Sequence, residues 1–136
     1  MDFYLLDRGD QEQAQRIACR LAEKGWQQGY KVLLRVADAD QAKVLDELLW
    51  TFRQESFVPH GLHDEDPEAA VIITHGDAPP DSGGLLINLA DDVPQRADRF
   101  QRIADIVAAT DAAKNAGRQR YRAYRAQGWP LRTHPV

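Results

Sequence analysis

A chain of 136 residues, 43% of them hydrophobic, has apolar material for one core and too little for two, so a single domain over residues 1–136 is expected. Its 17 basic and 21 acidic residues give a net charge of −4, which disfavours a dedicated nucleic-acid binder, and its lone cysteine, Cys19, rules out an internal disulfide or a Cys-based zinc site. The apolar runs are too short to cross a bilayer, and Met1-Asp2-Phe3-Tyr4-Leu5-Leu6 lacks the basic start and long apolar stretch of a secretory signal, so a cytoplasmic protein is expected.

In chain order, Phe3 to Leu6 is a short apolar run closed by Asp7-Arg8-Gly9. Ala14, Ile17, Ala18, Leu21, Ala22 and Gly25 then recur at spacings of three and four, which predicts an amphipathic helix. Asp10 with Gln13 can cap its start and Gly29 can end it in the left-handed conformation. Tyr30 to Val36 reads as a strand whose unbroken Val32-Leu33-Leu34 implies burial on both faces, as in a parallel sheet. Asp38 with Gln41 opens a second helix that turns Leu45, Leu48 and Leu49 inward. Thr51 to Pro67 is a long, aromatic connection of the kind that is usually functional.

Ala70 to Thr74 and Leu85 to Leu89 read as strands, separated by a breaker-rich turn from His75 to Gly84. The stretch from Gln101 to Ala109 is ambiguous, because its Ile103 and Val107, with the preceding Phe100, fit a helical face. The β-branched Ile103, Ile106 and Val107, and the alternation of elements, favour a strand. A final helix is predicted from an Asp111 cap to Gln127, ended by Gly128 and Pro130. The result is an α/β fold: a Rossmann-like, three-layer arrangement around a mainly parallel sheet.

The charge is unevenly distributed. Ala112 to Val136, 25 residues, hold six cations and no carboxylate side chain, which leaves eleven basic against 21 acidic residues, or −10, for the rest. On the last helix Arg118, Arg122 and Arg125 are spaced by four and three with Tyr121 beside them, a stripe suited to an acidic peptide carrying an apolar group. The alternative is that Arg118, Arg120 and Arg125 hold nucleic-acid phosphates while Tyr121 or Tyr124 stacks on bases. A second constellation is Trp50, Phe52, Phe57, Val58, Pro59 and His60, either closing the core or anchoring a partner.

Catalytic equipment is thin. Neither GxxxxGK[ST] nor GxGxxG occurs, and Gly25-Trp26-Gln27-Gln28-Gly29 lies between a helix and a strand, the wrong order for cradling phosphate. His60, His63, Asp64 and Asp66 lack the helical spacing or Cys support of a metal site. Cys19 reads as a packing residue, and Ser56 and Ser82 have no GxSxG context. No metal, cofactor or catalytic residue is assigned.

Four blocks resemble, in order and spacing, the chi subunit of bacterial DNA polymerase III. These are Phe3-Tyr4-Leu5-Leu6, Leu45-Asp46-Glu47-Leu48-Leu49-Trp50, Glu55-Ser56-Phe57-Val58-Pro59-His60, and the helix from Arg118 to Gly128. The resemblance covers nearly the whole chain and implies a Rossmann-like domain without a nucleotide-binding loop. It further implies a non-enzymatic adaptor in the clamp-loader complex. Such an adaptor pairs with the psi subunit and binds the acidic C-terminal tail of single-stranded DNA-binding protein, which ends in aspartates, Pro-Phe and a free carboxylate. By the same resemblance, Val107, Arg118, Tyr121, Arg122 and Gly128 match the tail-binding positions. Arg122 stands where the family pattern has lysine, which keeps the charge and changes its geometry. Trp50, Phe57, Pro59 and His60 match the side that meets psi or a helicase-like protein competing for it. Correspondence is least from Gly61 to Gly84.

Overall fold

The structure, a computed structural model, describes residues 1–52, 57–76 and 84–136. Ser56, Ser82 and the centre of the turn from His75 to Gly84 lie outside the described residues. The chain runs β1 (Asp2–Leu5), α1 (Gln11–Gln27), β2 (Val32–Val36), α2 (Ala39–Thr51), β3 (His60–Leu62), β4 (Val71–His75) and β5 (Leu85–Asn88). A short 3-10 turn (Ala97–Arg99), β6 (Arg102–Val107), α3 (Asp111–Ala126) and β7 (Arg132–Pro135) complete it.

The strands form one sheet in the order β3-β4-β2-β5-β6-β1-β7, and every pairing is parallel. Successive side chains leave a strand on opposite faces, so β2 sends Val32, Leu34 and Val36 toward α1 and α2 and Leu33 toward α3. This two-sided burial is what the unalternating strand sequences require. Cys19 belongs to the α1 face of the core, and burial pushes its thiol up to about 12, so it packs and does not react.

The caps follow local chemistry. Asp10 accepts from the Glu12 N–H and Asp38 from the Gln41 N–H, while Gly29 ends α1 at φ +88°. The third helix corrects the expectation at one position. Its N-cap is Thr110, whose hydroxyl accepts from the Ala113 N–H, and Asp111 is the first helical residue, where its charge still meets the helix dipole. The two outermost strands, β3 and β7, are absent from the sequence reading. β3 has three residues centred on a glycine and β7 ends in Pro135, compositions that a central strand would not tolerate and an edge strand does.

On the α3 face, the strand ends carry a polar row instead of apolar residues. Arg35 is registered beside Asn88, and Asn88 beside Asp105. Arg120 closes the row from α3, its Nε and Nη2 donating to the Asp105 carboxylate at 2.8–3.1 Å. Asn88 Nδ2 and the Tyr124 hydroxyl donate to the same carboxylate at 3.2 Å each. Arg35 Nε and Nη2 donate to the Gly76 carbonyl (2.6 Å) and the Asp92 carboxylate (2.8 Å), which pins two loops to the sheet.

Candidate functional site

The row fixes α3 against β6, and the contact is close. A Cβ on Gly117 would lie 2.9 and 3.0 Å from the two Val107 methyls, so only glycine lets the helix approach at that turn without a shift. Beside this contact a hollow of about 490 Å³ opens between α3 and the β6, β1 and β7 side of the sheet. Phe3, Leu5, Leu6, Val107 and Ala108 give it an apolar floor, and Thr133 of β7 gives it a wall. Tyr121, half-buried, leans over the floor with its ring 5.2 Å from that of Phe3.

Three cations line the helical side: Lys114, Arg118 and Arg122, each one turn from the next. At 1.5 Å per residue the row is about 12 Å long. Among the described residues Arg118 donates only to Asn115 on its own helix, at 3.0 Å, and neither Lys114 nor Arg122 makes an ion pair. The reason is compositional, since no carboxylate side chain follows Asp111. Such a surface holds carboxylates in a line, with an apolar group inserted below them.

Val107, Arg118, Tyr121 and Arg122 are thus brought to one hollow. Lys114 joins them, and its spacing of four from Arg118 was the available signal. Gly128 does not line the hollow; at φ +91° it terminates α3. Arg125, expected in the same stripe, is exposed outside the hollow's lining. Two further expectations need correction. Arg120 and Tyr124 are buried in the Asp105 network, so neither is available for phosphates or bases. Burial pushes the Tyr124 hydroxyl well above the ordinary phenol range, and the Asp105 charge adds to that rise.

The second constellation lies at the other side of the sheet. Trp50 at the end of α2 is 55% exposed and Phe57 is 61% exposed, with ring centroids 5.5 Å apart. The His60 ring is packed 4.6 Å from Trp50 and its side chain is fully buried. Its nitrogens lie 2.6 Å from the Val58 carbonyl and 3.0 Å from the Asp46 carbonyl, so His60 supports the patch from beneath. Pro59 is half-buried beside it, and Val58 and Phe52 pack into the core. Two large apolar rings held in solvent, Trp50 near the end of α2 and Phe57 ahead of β3, are the unusual observation, because ordinary packing would hide them.

With this geometry in view, residues 1–132 match the family described as "DNA polymerase III chi subunit, HolC". The chain belongs to the chi-subunit family. Its chi relatives include DNA polymerase III subunit chi of Pseudomonas aeruginosa, 43% identical over 98% of this chain and 94% of that one. The Haemophilus influenzae chi subunit is 37% identical over 98% and 95%, and that of Escherichia coli 34% over 96% and 94%. Among solved structures, the C-terminal domain of the DEAD-box protein Dbp5 superposes with a TM-score of 0.63 over 99% of this chain and 90% of that one. At 15% identity it shows a shared fold and nothing more.

Open parallel sheets commonly bind ligands outside the carboxyl ends of their strands. In this chi chain that place is a crevice of about 570 Å³ between the starts of α1 and α3. The cation lining it, Arg120, is committed to Asp105 and to the Asp91 carbonyl, and the helix starts are occupied by their own Asp10 and Thr110 caps. The crevice therefore offers phosphate no uncommitted cation among its lining residues, and a side-chain cap already takes one N–H at each of these helix starts. His63 and Asp64 approach only to 4.0 Å, and no group of three metal-ligating side chains comes together among the described residues. No described helix is long and apolar enough to cross a membrane.

Proposed function

We propose that this chi-family protein is a non-catalytic adaptor of the polymerase III clamp-loader complex. It holds the acidic C-terminal tail of single-stranded DNA-binding protein in the cationic hollow, and it holds the psi subunit on the Trp50 and Phe57 patch. It works in the cytoplasm, where the chromosome is copied. The observation that carries the reading is the coincidence, in one hollow, of an apolar floor with a row of three cations that make no ion pair with a carboxylate among the described residues. An aspartate-rich tail ending in Pro-Phe and a free carboxylate supplies the complement of each part. Its carboxylates meet Lys114, Arg118 and Arg122, and its phenyl ring goes to the floor beside Val107 and Tyr121.

Direct binding of single-stranded nucleic acid is the second reading, and the burial of Arg120 and Tyr124 weakens it by removing a cation and a stacking ring. Fluorescence anisotropy with a labelled peptide ending in Asp-Asp-Ile-Pro-Phe, against a bare oligonucleotide, separates the two. The adaptor reading predicts saturable peptide binding and weak, salt-sensitive binding of the oligonucleotide. The reverse order of affinities would replace it with the nucleic-acid reading.

A further inference from the structure

Residues 38–68 carry nine acidic side chains against two basic ones, the opposite balance to the last helix. The fold gathers several of them near the aromatic patch. Asp64, Glu65, Asp66 and Glu68 are exposed on the turn that leaves β3, and Asp46 and Glu47 precede Trp50 on α2. The turn is held in place, because the N–H groups of Glu65 and Asp66 both donate to the Leu62 carbonyl, at 3.0 and 2.8 Å. Asp66 also packs against Gly61, where an added Cβ would meet its side chain at 2.7 Å. β3 is tied to α2 through His60 and Asp46, so the carboxylates keep a fixed relation to Trp50. Among the described residues Asp64 pairs only with His63, at 4.0 Å, and Glu65, Asp66 and Glu68 make no ion pair.

Massed like charge without internal cations opposes folding slightly and attracts a partner of the other sign. We propose that this acidic flank selects a basic segment of psi, one whose Lys or Arg side chains approach the 64–68 turn while an apolar side chain seats on Trp50 and Phe57. The proposal rests on reading the patch as the psi site. Five strand spacings, roughly 24 Å, separate β3 from β1 beneath the cationic hollow. That exceeds the Debye length of about 8–10 Å, so the two fields do not cancel. Each site repels the other's ligand, and an acidic tail and a basic psi segment cannot exchange places.

Stopped-flow association of the full chain with the psi subunit of the same organism, at 50 and 300 mM salt, tests this. Neutralising three exposed carboxylates (Asp64→Asn, Glu65→Gln, Glu68→Gln) is expected to slow association about tenfold at the lower salt. Dissociation should stay within about twofold, and the difference in association should close at the higher salt. Phe57→Ala is expected to speed dissociation at both salts. A neutralised variant that associates as fast as the parent, or whose defect persists at 300 mM, overturns the charge rule. If Phe57→Ala meanwhile weakens capture, the patch reading stands without it. Should Phe57→Ala bind psi like the parent, the patch reading itself fails.

Discussion

Arg120 and Arg118, two residues apart on α3, should fail in opposite ways, the first in stability and the second in binding. Arg120→Ala removes three contacts to the Asp105 carboxylate and leaves it wholly buried, with only the Asn88 and Tyr124 bonds at 3.2 Å. Breaking a buried ion pair on one side costs about 3–5 kcal/mol. For a domain of this size that is roughly 10–15 °C in melting temperature, a large share of the about 5–15 kcal/mol a domain has. The loss should depend on pH. Burial already pushes the Asp105 carboxyl up, against the pull of Arg120, Asn88 and Tyr124, and removing Arg120 pushes it further. The native variant then takes up a proton at a pH where the unfolded chain, with the ordinary value of 3.8, does not. Its stability should therefore rise as pH falls toward about 4, and its deficit against the parent should narrow. Thermal melts from pH 8 to pH 4.5 read both effects. A loss below about 3 °C at pH 7.5, or a deficit that widens on acidification, would refute the account of the network.

Gly117→Ala adds a methyl 2.9–3.0 Å from the Val107 methyls. Overpacking of about 1–3 kcal/mol is partly offset by the roughly 1 kcal/mol helical advantage of alanine. Melts should change by only a few degrees while tail-peptide affinity falls several-fold, because α3 is displaced at the hollow; unchanged affinity would show that the floor does not contact the ligand. Asp2 concerns β7, which walls the hollow. Burial pushes its carboxyl up, but hydrogen bonds from His134 and Arg102 outweigh this and hold it below 3.8. The parent should lose stability as pH drops below about 3.8, where the unfolded chain binds the proton first, and Asp2→Asn should lack that component in acid titrations followed by circular dichroism.

The parts of this fold that announced themselves were those set by local periodicity and capping. α1, α2 and the two-sided strands β2, β4 and β5 came from apolar runs and spacing. The β6 strand came from weighing β-branched residues against a helical face. The polar row did not, because Arg35, Asn88 and Asp105 are far apart in sequence and become neighbours only through the crossed strand order. α3 shows the same limit. Gly117, Arg120 and Tyr124 are spaced three and four apart and form its inward stripe, yet a reading that counts arginine as surface turns that stripe outward. The residues at the hollow's rim, Arg118, Tyr121 and Arg122, were legible because spacing alone places them on one side.

The central claim is that the hollow, and not the general positive charge of α3, holds the acidic tail. Comparing Arg118→Ala with Arg125→Ala in the peptide anisotropy assay tests it directly, since only Arg118 lines the hollow. Loss of a charge-assisted bond predicts a cost of about 1.5–3 kcal/mol for Arg118→Ala, roughly 10- to 150-fold in affinity. Arg125→Ala should stay within about threefold. Equal, small losses for both variants, or parental binding by Arg118→Ala, would contradict the account.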